Sequence, residues 1–289
     1  MHRVLLLALL VSSPAFAEQE GDLSQVDVRA EIAPSGDTIK LATTTGGGKK
    51  SGVVLEAGKA KPTTLYQGEA ASTLEVGHGK TVLALLVDDA NGPFRVHVLD
   101  GSDAGKARVI ARKGKRNDLP YAVAMTATPT GFTIFFQELE AQNANEAHTY
   151  MAELDKDGKP TGDAKEVAIP WALADVAWNG DGYQLALYYT ADGSGARLSM
   201  VGLSKEGAPL QHPDWASQPG AITDVHLVAS GERIHAYYRC GAGDRICDTD
   251  VTKIGQWGQV STKARDIGAI GASEAIAITP KGSVKKVKR

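Results

Sequence analysis

The residues of this chain with the plainest capacity for chemistry lie in one short hairpin. His226 and His235 flank Gly231, and a two-residue connection, Ser230-Gly231, sets them directly opposite each other. The same register puts Leu227 opposite Ile234 and Val225 opposite Ala236. Asp224 lies two residues before His226, so alternation along a strand brings it to the same face. Two imidazoles and a carboxylate on one surface are a ligand set for a divalent transition metal. The competing reading is a polar contact in a packed layer. Tyr237 stands opposite Asp224 in this register, and Ala177 and Ala186 hold the places of the two histidines in the preceding unit. Packing is the expectation for the pair, and no cofactor is expected.

Other motifs fall short of their chemistry. Asp155-Lys156-Asp157-Gly158 opens like a calcium loop and Glu166 falls at the twelfth place, yet Lys159 stands where an oxygen ligand is needed and Pro160 replaces the glycine of the sharp turn. A tight turn is expected there. Gly46-Gly47-Gly48-Lys49-Lys50-Ser51 has the look of a phosphate loop, but Thr43 replaces its first glycine and no helix follows. There is no Gly-x-Ser-x-Gly elbow and no His-Glu-x-x-His pair.

The compartment is written more clearly than the chemistry. Residues 4–11 are an unbroken apolar run, too short to span a bilayer. Ser12-Ser13-Pro14 ends it, and Ala15-Phe16-Ala17 fits the small-x-small cleavage rule. Residues 1–17 therefore read as a signal peptide, and 18–289 as a single exported domain, periplasmic or secreted, without a transmembrane segment. Cys240 and Cys247 are separated by Gly-Ala-Gly-Asp-Arg-Ile, a hairpin-loop composition, and a structural disulfide is expected in an oxidising compartment. A formal charge of −3 gives no footprint for nucleic acid.

The positioning framework is a strand-turn-strand unit that returns about every fifty residues, the kind of period that marks repeat architectures. Asp175-Val176, Gly182 and Tyr188-Tyr189 recur as Asp224-Val225, Gly231 and Tyr237-Tyr238. Turn glycines stand at Gly36, Gly79, Gly131, Gly182, Gly231 and Gly282, and apolar residues follow three and five places later, as at Ile134 and Phe136 or Leu185 and Leu187. Third strands are expected at 52–55, 94–99, 148–154, 197–203 and 248–254, and weaker fourth strands at 107–111 and 165–169. The pattern resembles the β-propeller superfold. The resemblance implies an all-β, β-propeller-like array of about five to six four-stranded blades. Residues 273–289 supply only two strands of a last unit, which residues 18–28 would complete.

In such an array the innermost strands line a central channel. Asp175 and Asp224 occupy the same place at the start of their first strands, and Glu274 is placed similarly in the last unit. Propeller glycosidases draw acidic groups from several blades in a similar way, and a carboxylate pair can divide acid and base roles. The competing role for Asp at a strand start is to accept backbone N–H groups. Trp171, Trp178, Trp215 and Trp257 would serve as sugar-stacking rings at a blade rim or as core. Lys281, Lys285, Lys286, Lys288 and Arg289 make the C-terminal strand basic, a solvated edge or an attraction to an anionic envelope. The expected function is that of a non-catalytic exported scaffold presenting loops to a protein or cell-envelope partner; the alternative is a carbohydrate-binding or glycoside-cleaving propeller.

Overall fold

Segments such as 81–86 and 132–136 are apolar at almost every position. A strand holds such a run only where both of its faces are covered. The computed structural model describes residues 24–32, 38–45, 52–57, 61–67, 70–87, 94–100, 103–104, 108–110, 119–140, 143–169, 171–189, 197–210, 214–215, 222–230, 233–240, 246–251, 257–261, 266–271, 274–278 and 284–288. They form six antiparallel sheets, or blades, each made of strands consecutive in the chain.

Blade one is Ser24–Ile32 (β1), Thr38–Thr45 (β2), Gly52–Ala57 (β3) and Thr63–Gln67 (β4). Blade two is Ala70–Gly77 (β5), Lys80–Val87 (β6), Phe94–Asp100 (β7), Asp103–Ala104 (β8) and Arg108–Ile110 (β9), the last two both pairing with β7. Blade three is Leu119–Thr128 (β10), Gly131–Glu140 (β11), Asn143–Asp155 (β12) and Lys165–Val167 (β13). Blade four is Ala172–Trp178 (β14), Gly182–Tyr189 (β15), Arg197–Ser204 (β16) and Asp214–Trp215 (β17). Blade five is Ile222–Ser230 (β18), Arg233–Cys240 (β19), Ile246–Asp250 (β20) and Trp257–Ser261 (β21), and blade six is Asp266–Gly271 (β22), Glu274–Ile278 (β23) and Val284–Lys288 (β24).

The first strands pack side by side in a ring: β1 on β5, then β10, β14, β18 and β22, with β22 returning to β1. Hydrophobic layers fill the junctions between blades. Alternation assigns each strand's side chains to two layers at once. Ile134 and Phe136 of β11 face blade two and pack with Val82, Ala84 and Val96. Phe135, between them, faces blade four and packs with Leu185, Val201 and Leu203. On β15, Ala186 turns the other way, into the layer with Ile234, Ala236 and Tyr238 of blade five. A fully enclosed ring such as Phe135 contributes roughly 1.5–3 kcal/mol by burial.

Expectation and structure diverge at the last unit. Its first hairpin is β22–β23, closed by the pair Gly271–Glu274, and Gly282 lies between β23 and β24. Blade five is shorter than the repeat, so stepping fifty residues from Gly231 overshoots the true turn. Residues 24–28 do not complete blade six; they belong to β1 in blade one, and β1 packs beside β22 where the ring closes. The third strand of blade five is also earlier than the expected 248–254. Residues 1–17, the expected leader, lie outside the described residues. Among the described residues no helix is long and apolar enough to cross a membrane.

Candidate functional site

The hairpin of blade five is offset by two residues from the expected register. Ser230 pairs with Arg233, Val228 with His235 and His226 with Tyr237. The connection is therefore Gly231-Glu232 and not Ser230-Gly231. An even offset keeps every side chain on its own face, so His226 and His235 still share one surface but stand diagonally. Both are buried, and His235 stacks on Tyr237 at 6.4 Å between ring centroids. Asp224 lies within a bulge between Thr223 and His226, and its side chain lies outside the described residues. No group of three metal-ligating side chains occurs among the described residues.

The channel acids divide in the same way. Asp175 follows a bulge in β14, is 7% exposed, and its Oδ2 accepts the backbone N–H of Leu227 at 2.8 Å. Glu274 opens β23, the second strand of its blade, and so does not stand on an innermost strand as expected; its side chain lies outside the described residues. Cys240 and Cys247 form the expected disulfide across the β19–β20 connection, with Cα atoms 5.9 Å apart.

Asp175 belongs to a series that sequence reasoning misses. Glu75 Oε1 accepts the N–H of Ala127 at 3.1 Å, and Thr126 Oγ1 accepts that of Trp178 at 3.0 Å. In each case a polar side chain on one innermost strand holds a backbone amide 52 residues on, in the next blade. The constant spacing is the available signal: an oxygen-bearing side chain two or three residues before the end of each first strand. Glu75 is half-buried as a residue, and burial is the dominant influence on its carboxyl group. That burial raises its pKa to about 8; the Ala127 amide acts against the rise and the charge of Asp175 adds to it.

A second device links the outer turns. In blade three, Asp155 Oδ1 accepts the N–H groups of Asp157 and Lys159 at 2.9 and 2.8 Å, and Gly158 takes a φ of +70°. This is the expected tight turn of the calcium-like segment, and Glu166 is bonded elsewhere, to His148 at 2.8 Å. Blade four repeats the turn with Ser204 as acceptor and Gly207 at +86°. A Cβ on Gly158 would come within 2.4 Å of Val98, and one on Gly207 within 2.7 Å of Val167, so each glycine lets its turn lie against the preceding blade.

Between blades three and four, on the side of these turns, a cleft of about 400 Å3 opens. The β10–β11 turn gives Pro129 and Thr130, the end of β14 gives Trp178, β15 gives Tyr183, and the outer strands and turns give Glu153, Lys165, Lys205 and Glu206. Tyr183 is buried, with its hydroxyl on Thr133 Oγ1 at 2.8 Å, and burial raises its pKa. Trp178 meets Tyr183 edge-on at 5.0 Å, is partly exposed, and its enclosed Nε1 has no hydrogen-bond partner among the described residues. Lys165 stands 3.9 Å from Glu153 and Lys205 3.7 Å from Glu206, all four exposed. Hydrogen bonds from its own amide and from Ser204, together with the lysines, hold Glu206 below the usual carboxylate range. The cleft thus joins an aromatic wall and charged side chains of both signs. Among the described residues, Trp178 is the tryptophan that lines it. The side chains of Trp215 and Trp257 lie outside the described residues.

No family model matches the chain, and no curated protein does. Solved structures do. An α-L-arabinanase from Penicillium chrysogenum, complexed with arabinobiose, is 12% identical over 91% of this chain and 92% of its own, with a TM-score of 0.52. A subtype N10 neuraminidase-like protein of a little yellow-shouldered bat strain is 8% identical over 90% and 93%, with a TM-score of 0.55. The Aleuria aurantia lectin, complexed with α-methyl-L-fucoside, is 13% identical over 90% and 89%, with a TM-score of 0.50. At these identities the likeness is one of fold, and it agrees with the ring of sheets described above: this chain is a β-propeller.

Proposed function

We propose that this protein is an exported carbohydrate-binding propeller and that the cleft between blades three and four is its binding site. The observation that carries the reading is the wall formed by Trp178 and Tyr183, beside hydroxyl, carboxylate and ammonium groups within one cleft. Sugar rings present an apolar face and an equatorial rim of hydroxyls, which aromatic rings and flanking polar groups satisfy together. The structural neighbours named above include proteins complexed with arabinobiose and with a fucoside, which supports this reading over a scaffold with a protein partner. The test is calorimetric titration of neutral plant and envelope oligosaccharides into the mature protein and into Trp178→Ala. Binding that disappears in the variant supports the site; binding unchanged in Trp178→Ala places it elsewhere.

One observation favours a second reading, glycoside cleavage in the channel. Burial holds the pKa of Glu75 at about 8, so it keeps its proton at neutral pH, as a general acid must, and the charge of a second carboxylate, Asp175, acts on it. The hydrogen bonds of both carboxylates to neighbouring blades weigh against it. Turnover of aryl glycosides that is lost in both Glu75→Gln and Asp175→Asn, with the fold intact, would establish it.

A further inference from the structure

The repeat supplies a filled copy of the cleft one junction earlier. Phe132 pairs with Leu154 in blade three as Tyr183 pairs with Leu203 in blade four, so the two rings are equivalent. Asp157 and Glu206 are equivalent in their turns, three residues after these leucines. Between blades two and three, however, the chain occupies the space itself. His78, on the β5–β6 turn, meets Phe132 edge-on at 5.5 Å. Its Nε2 lies 2.7 Å from Thr128 O and 3.1 Å from Gly131 O, and since carbonyl oxygens only accept, that nitrogen carries the proton and donates. His78 (φ +51°) and Gly79 (φ +74°) form the two-residue connection closed by the Gly77–Lys80 pair, both in the left-handed region as such a hairpin turn requires. Lys80 completes the plug with an ion pair to Asp157. Gly77 draws the junction tight, since a Cβ there would lie 2.9 Å from Ala127 Cβ.

At the next junction both plugging side chains are missing. The closing pair Gly77–Lys80 corresponds to Thr128–Gly131, so Pro129 stands for His78 and Gly131 for Lys80. Lysine cannot be restored at Gly131, because a Cβ there would lie 2.0 Å from Leu154 O. What remains is the receiving half of the contact: the ring of Tyr183, the open place above it, and Glu206. Among the described residues, the ion pair of Glu206 is with its own neighbour Lys205, and Lys165 of blade three acts on it only at longer range.

We propose that the cleft between blades three and four takes an amino sugar bearing a free ammonium group, with the sugar ring on the Trp178–Tyr183 wall and the ammonium on Glu206, in the places that His78 and Lys80 fill one junction earlier. This inference rests on the carbohydrate-binding reading. It adds charge selectivity: the exposed Lys205 beside Glu206 is held by one flexible neighbour contact, which an incoming ammonium displaces at little cost.

The test is calorimetric titration at pH 6 of three tetrasaccharides: one of glucosamine, its fully N-acetylated counterpart, and neutral cellotetraose. The expected result is at least tenfold tighter binding of the glucosamine oligomer. Glu206→Gln abolishes that preference, and Asp163→Asn, which removes an exposed carboxylate outside the cleft, keeps it. Equal or tighter binding of the N-acetylated oligomer overturns the charge inference and leaves the carbohydrate reading standing. A preference that survives Glu206→Gln, or falls equally in Asp163→Asn, overturns it as general attraction of a cation to an acidic protein. Absence of binding by all three, and by the broader neutral panel, removes both readings together.

Discussion

Replacing Glu75 by glutamine should make the propeller more stable at neutral pH, although it removes an ionisable group that holds two blades together. The carboxyl group is enclosed, and its pKa stands at about 8 in the fold against 4.5 in an open chain. Between these values the folded state keeps a proton that the unfolded state releases, so stability falls as pH rises through this window and levels off above pH 8. Each pKa unit corresponds to about 1.36 kcal/mol, so the loss between pH 4.5 and 7 is roughly 3 kcal/mol and is complete at roughly 5 kcal/mol. Glutamine retains the oxygen that accepts the Ala127 N–H and never ionises. Urea unfolding of both proteins at half-unit intervals from pH 4.5 to 9 isolates the effect, because all other titrating groups are shared. The two should coincide at pH 4.5 and diverge steadily, with Glu75→Gln more stable by roughly 3 kcal/mol at pH 7. Since the charge of Asp175 adds to the rise, Asp175→Asn should move the midpoint of the divergence to lower pH. Parallel curves across the whole range would refute the enclosure of this carboxyl group.

Gly207→Ala introduces a side chain at φ +86° against Val167, and should cost about 1–3 kcal/mol in denaturant unfolding, whereas Gly162→Ala, in open space, should be nearly neutral. Asp175→Ala leaves the buried Leu227 amide unsatisfied and should cost about 1–3 kcal/mol, mostly restored in Asp175→Asn; equal losses in the two variants would count against the hydrogen bond. Reducing the Cys240–Cys247 bridge should lower stability by about 2.5 kcal/mol on the loop-entropy model, measured as the difference between oxidised and reduced melting curves. Trp178→Ala should remove saccharide-induced changes in tryptophan fluorescence while keeping the β-sheet circular dichroism of the parent.

The repeat is legible in the sequence because burial on two faces leaves a local signature. Runs such as Leu185, Ala186 and Leu187 are apolar without interruption, and the glycines at 79, 131 and 182 punctuate them at nearly constant intervals. The sixth blade escapes because its period shortens, and nothing in a local window marks a shorter neighbour. The two-residue offset at His226 and His235 escapes for a related reason: moving a hairpin by two leaves the apolar face unchanged, so patterning cannot choose between the registers. The cleft is the least legible feature. It arises from what blade three lacks at Pro129 and Gly131 relative to His78 and Lys80, and such a difference acquires meaning only after the strands have been placed in register.

The hydrogen bonds between innermost strands are asymmetric in what they ask of the sequence. One partner must be an oxygen-bearing side chain of suitable length, and three different residues, Glu75, Thr126 and Asp175, meet the requirement. The other partner is a peptide N–H, which every residue but proline supplies. These hydrogen bonds therefore place no demand on the side chains of Ala127, Trp178 and Leu227, which differ in size and chemistry. A ring joined in this manner tolerates drift at half of its contact positions without loosening. The positions that cannot drift are marked by an exclusion: proline at Ala127, Trp178 or Leu227 would unfasten a pair of neighbouring blades, which no other residue type at these places can do through its backbone.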